Sequence, residues 1–174
     1  MRALVADGLT LEPQTRAHAE AMFVVLSDPA IYEYENEPPR SLEWLRERFT
    51  KLESRVSADG AEQWLNWVIR LPGSELAGYV QATVYADGRA AIAYELSSAY
   101  WGRGLAHRAV GAMIRELAES YHVRTVTAVF KRENQRSRHL LERLGFLPAS
   151  REWQAKYQVD TDEQMMRREA RLHE

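Results

Sequence analysis

The chain has no cysteine, which excludes a disulfide framework, a thiol nucleophile and a cysteine-ligated zinc site. Glycine and proline are also sparse, with nine and six residues in 174, so a collagenous or low-complexity chain does not fit. No apolar run approaches the roughly 18 residues that a membrane span requires, and the opening MRALVADGLT lacks the apolar core of a secretory signal. Neither sign of charge dominates: 23 Lys and Arg stand against 25 Asp and Glu, a formal net charge of −2. Neither nucleic acid nor a membrane is therefore an expected partner, and a cytoplasmic location is expected. What is present is 45% hydrophobic and 28% charged residues, the balance of a globular protein, at a length that suits one domain over residues 1–174.

Apolar residues Ala19, Met22, Phe23 and Leu26 recur at helical spacing until Asp28-Pro29 ends them. Ser41 caps a second helix with Leu42, Leu45, Phe49 and Leu52 along one stripe, and SADG closes it. From Trp64 the period becomes two, with Leu65, Trp67, Ile69 and Leu71 on one face. Turns at Pro72-Gly73 and Asp87-Gly88 predict three antiparallel strands, the second over 76–85 and the third ending near Leu96. Ala106, Val110, Met113, Ile114 and Leu117 then mark a helix running to about Ser120, and residues 123–130 read as a strand. Strand, helix and strand make a crossover unit, expected to be parallel and right-handed. A short helix through Leu140, Leu141 and Leu144 ends at Gly145, and two more strands are predicted near Trp153–Val159 and Gln164–Arg168. The fold class is thus a mixed α/β sheet, mostly antiparallel, with helices on its faces.

The stretch SSAYWGRGLAHRAV places Gly102 and Gly104 around Arg103 at the mouth of a helix. Helix N-termini carry unpaired N–H groups and partial positive charge, and glycines let an anion approach the backbone, so this turn is a candidate phosphate site. A plain tight turn with Arg103 solvated is the simpler structural reading. Two familiar phosphate motifs fit poorly: the Gly-Lys-Ser/Thr of a P-loop is missing, and His107 occupies the third small position of a dinucleotide fingerprint. The histidines at 18, 107, 122, 139 and 173 show no metal-ligand spacing, and no metal is expected.

YELSSAYWGRGLAHRAV followed by NQRSRHLLERLGF resembles the GNAT superfamily of acyl-CoA N-acyltransferases, and within it the RimJ/RimL-type branch that includes ribosomal-protein N-terminal acetyltransferases. The resemblance spans nearly the whole chain. Trp101, Gly104 and Ala106 fall on the fixed positions of the family's Gln/Arg-x-x-Gly-x-Gly/Ala loop, with Trp101 where Gln or Arg is usual. The resemblance implies that backbone N–H groups from Trp101 through Gly102, Arg103, Gly104 and Leu105 to Ala106 hold the pyrophosphate of acetyl-CoA. It also implies that Leu96 and Ser97 bind the pantetheine arm like an added strand. Arg103, His107 and Arg108 gather charge near those phosphates, and Asn134 and Ser137 match the family's second motif.

Moving an acetyl group from a thioester to an amine requires a neutral amine, alignment, stabilisation of the oxyanion and a proton for the leaving thiolate. A lysine-like amine titrates near about 10.4, so a proton acceptor is needed. Glu95 is the candidate base: its strand face carries only the small Ala91 and Ala93, while Tyr94 is expected to turn into the core. Many relatives take a tyrosine of the second-motif helix as the acid; Leu141 holds that place here, and Ser137 is the candidate substitute. For the acceptor, the acidic YEYENEP offers Glu35 as a charge, with Tyr34 and the nearby Trp64 as walls. The expected partner is an amine, on a small molecule or a protein N-terminus, and pairing into a homodimer is left open. Two other readings stay in play, a non-catalytic acyl-CoA sensor suggested by Leu141 and a nucleotide-binding domain using the same glycine loop.

Overall fold

The computed structural model describes residues 1–170, so His173 and the last four residues of the expected 1–174 domain lie outside the described residues. Eight strands form one sheet in the order β1-β2-β3-β4-β5-β6-β8-β7. They are β1 (Leu4–Ala6), β2 (Leu9–Pro13), β3 (Glu62–Arg70), β4 (Leu76–Tyr85), β5 (Arg89–Leu96), β6 (Thr125–Lys131), β7 (Leu147–Pro148) and β8 (Glu163–Glu169). Helices α1 (Ala19–Leu26), α2 (Leu42–Leu52), α3 (Leu105–Ser120), α4 (Gln135–Arg143) and α5 (Arg151–Lys156) complete the chain. All pairings are antiparallel except β5 with β6, which is parallel, as the strand-helix-strand pattern predicts.

Two apolar layers hold the sheet. On one face Leu11, Leu65, Trp67, Val80 and Ile92 pack with α3 and α4, and on the other Val68, Leu76 and Tyr79 pack with α1 and α2. That double covering explains why Leu65 to Ile69 of β3 is buried without alternation. Asn134 caps α4 by accepting from the Ser137 N–H at 3.0 Å. At the other end Gly145, at φ +81°, and Phe146 donate back to the Glu142 and Leu141 carbonyls at 2.9 and 3.0 Å. This Schellman ending confirms the expected stop at Gly145.

One predicted strand is a helix. Residues near Trp153–Val159 contain α5, because Ser150 caps it by accepting from the Trp153 N–H at 3.3 Å. Trp153 and Tyr157, read as strand formers, meet one helical turn apart with ring centroids at 5.4 Å and the rings tilted by 53°.

Candidate active site

Backbone geometry along β5 comes first. The Ser97 N–H donates to the Ala77 carbonyl at 2.9 Å and continues the register in which Glu95 faces Tyr79. Successive residues of a strand turn their N–H and C=O groups to opposite sides, so those of Ile92, Tyr94 and Leu96 point away from β4. Pairing with β6 ends where Ala91 faces Thr127. Residues 92–96 and 128–130 instead line a cleft of about 940 Å³. The edge of β5 there is a template for one more extended chain. Trp101 already uses part of it, its Nε1 donating to the Leu96 carbonyl at 3.0 Å.

The loop after β5 delivers a helix end to the same cleft. Gly102 and Gly104 sit at φ +76° and +71°, a conformation that disfavours a side chain by about 1–2 kcal/mol, and a Cβ on either would meet only open space. Backbone shape, not tight packing against the protein, therefore calls for both glycines. Gly104 caps α3 without any side-chain cap, leaving the first N–H groups free for an anion. Gly102, Gly104, Leu105, Ala106 and His107 all line the cleft, whereas Ser97 and Arg103 do not. The loop's start is clamped by Asp28, whose Oδ2 accepts from the Ser98 N–H at 2.6 Å and the Ser97 hydroxyl at 3.4 Å.

Positive charge arrives from an unexpected helix. Arg103 lies over the Tyr100 ring at 5.5 Å, and Arg108 donates to the Asp7 and Arg103 carbonyls, tying α3 to the β1–β2 turn. Arg136, 3.6 Å over the Trp101 ring, and Arg143 line the cleft together with His139. Their spacing of i, i+3 and i+7 in QRSRHLLER was the available signal, a basic stripe on one face of α4.

Glu95 and Tyr94 leave β5 on opposite faces, yet both line the cleft because the strand has no neighbour there. Glu95 Oε1 accepts from Asn36 Nδ2 at 3.1 Å, and the Tyr79 hydroxyl bonds it from the facing position on β4. Burial pushes the carboxyl above its ordinary range, against the opposing pull of those two bonds. A raised carboxyl pKa is what a proton acceptor for an amine requires near neutrality. Tyr94 packs against the main core as expected, but its hydroxyl emerges 2.6 Å from Ser137 Oγ. Leu141 is fully buried in the core.

Of the residues expected to meet the acceptor, Tyr34 and Glu35 line the cleft, and burial, then the nearby Glu163, push the Glu35 carboxyl up. Trp64 stands outside it: its indole N–H donates to Glu62 at 2.9 Å and Lys51 lies 6.0 Å over its ring. Among the described residues no cluster of three His, Asp or Glu could hold a metal ion.

A family model for the acetyltransferase (GNAT) domain matches residues 8–147. The chain belongs to the GNAT acetyltransferase family. Among the solved structures that share its fold, three are similar over nearly their whole length. RimL, a ribosomal L7/L12 α-N-protein acetyltransferase in complex with coenzyme A, is 19% identical, with 96% of this chain and 97% of that one aligned at a TM-score of 0.80. A ribosomal-protein-S5-alanine acetyltransferase from Vibrio fischeri is 16% identical over 97% and 96%, at 0.77. A spermidine N-acetyltransferase chimera from Vibrio cholerae and hSSAT is 18% identical over 94% and 96%, at 0.75. The cleft of this acetyltransferase thus combines an open strand edge at β5, an uncapped helix start at Gly104 and two arginines, Arg136 and Arg143, in its lining.

Proposed function

We propose that the protein transfers the acetyl group of acetyl-CoA directly to a primary amine, of a protein N-terminus or a small molecule, in the manner of the RimJ/RimL-type branch. One observation carries this reading: the unpaired edge of β5 has a carboxylate on one side, a hydroxyl on the other and the start of α3 at its end. The acetyl-CoA thioester supplies the activated acetyl group. Backbone groups of Tyr94 and Leu96 would hold the pantetheine arm, and the Leu96 N–H, directed into the cleft, would stabilise charge developing on the acyl oxygen. The α3 N-terminus, His107, Arg136 and Arg143 would take the phosphates. Glu95 accepts the proton of the amine, directly or through water, and Ser137 in the first turn of α4 gives a proton to the sulfur. Tyr34 and Glu35 would border the amine.

The buried Leu141 leaves no phenol at the place many relatives use, which is the support for an acyl-CoA sensor. Ser137 and its neighbour Tyr94 offer hydroxyl protons in the same cleft and favour catalysis. Thiol release from acetyl-CoA, measured against peptide N-termini, polyamines, amino acids and aminoglycosides, decides between the two, and the absence of cysteine removes the protein's own background. Turnover of at least one class is expected. Binding of acetyl-CoA with failure of the whole panel would select the sensor.

A further inference from the structure

Tyr94 is placed where it can control the proton that the leaving sulfur needs. Its hydroxyl is 2.6 Å from Ser137 Oγ, within the range of a strong O–H···O bond. A phenol is the stronger acid and an alkyl hydroxyl the better acceptor, so the bond runs from Tyr94 to Ser137. Burial pushes the Tyr94 phenol up to about 12, so it keeps its proton at working pH. Ser137 is held from the other side, its N–H donating to Asn134 Oδ1 at 3.0 Å, which leaves little but the χ1 rotamer free.

We propose that Tyr94 is the positioning residue that makes Ser137 a proton donor: by donating to Ser137 Oγ it forces the serine's own hydrogen toward the cleft and the departing sulfur. This rests on Ser137 acting as the acid. As the C–S bond breaks, its electron pair stays on sulfur, which takes the Ser137 hydrogen while Ser137 takes that of Tyr94. The proton lost by the acceptor nitrogen, relayed from Glu95 through water in the cleft, restores the phenol. One proton passes in net from nitrogen to sulfur, and the protein ends as it began. The hydroxyl absent from Leu141 on α4 thus has its counterpart on β5, reaching across the cleft.

The test uses Tyr94→Phe, Ser137→Ala and the double variant, assayed for thiol release with an amine from the panel that the wild type acetylates. Tyr94→Phe keeps the ring and its packing. It is expected to lower kcat about tenfold, the worth of one strong hydrogen bond, with the KM for acetyl-CoA within about twofold. Ser137→Ala should lower kcat about 100-fold, and the double variant should be no slower than Ser137→Ala alone, because the two groups act as a unit. Wild-type kcat in Tyr94→Phe, losses that multiply in the double variant, or a loss in KM alone would overturn Tyr94's role and leave Ser137 as the acid. Full-rate Ser137→Ala would instead remove the acid assignment, and the proposal with it.

Discussion

Glu95 works against the stability of the fold that holds it. Burial raises its pKa in the folded protein, so its contribution to stability is complete in acid and is lost as pH rises through that raised pKa. Glu95→Gln, which keeps the shape and removes the charge, should therefore melt higher than the wild type at pH 8. The difference should close toward pH 4, as thermal unfolding across that range would show; a gap that widens in acid would contradict the assignment. The same variant should lose about 100-fold in thiol release, because the amine loses its proton acceptor. In the wild type the rate should fall as pH drops through the raised carboxyl pKa. Glu95, which lines the cleft, was singled out from its place one residue before the expected pantetheine-binding segment. Tyr94 and Arg136 were not, since parity predicts which face a side chain leaves from but not that both faces open onto one cleft.

Close contact between elements sets where Glu95 stands. A Cβ on Gly78 of β4 would come within 2.0 Å of the Glu95 carbonyl and 2.8 Å of the Leu96 Cα, both backbone atoms with nowhere to move cheaply. Gly78→Ala must push the end of β5 into the cleft. The variant should lose about 1–3 kcal/mol of stability on denaturant unfolding and most of its acetyl-CoA binding; wild-type values for both would show that the strand end tolerates displacement. Long, periodic elements such as α3 and the β3–β5 meander were legible because each carries its own pattern. β1 and β2 carry three and five residues, β1 pairs with β2, and β2 meets its other partner, β3, some 58 residues on, so no strand was read there. At α5 the β-favouring Trp153 and Tyr157 masked a serine cap, and local hydrogen bonding prevailed over propensity.

At the scale of the whole molecule, the site exists because two antiparallel groups of strands meet along a short seam. β1 to β5 form one and β6, β8 and β7 the other, and only residues 89–91 and 125–127 join them. Past that seam the sheet opens, and α3 and α4 bring their N-terminal turns to the opening. The strand-helix-strand order was readable in the sequence, whereas the point at which pairing stops depends on how both halves pack and has no local signal. The most direct measurement of the central claim is the melting temperature with acetyl-CoA or NAD, in the wild type and in Gly104→Val. Gly104 has φ +71° and open space beyond its Cα, so valine adds both strain and bulk where the phosphates would lie. Acetyl-CoA should stabilise the wild type by about 2.7 kcal/mol at 100 times its Kd, NAD should not, and Gly104→Val should lose most of the gain. Stabilisation by NAD with none by acetyl-CoA would contradict it.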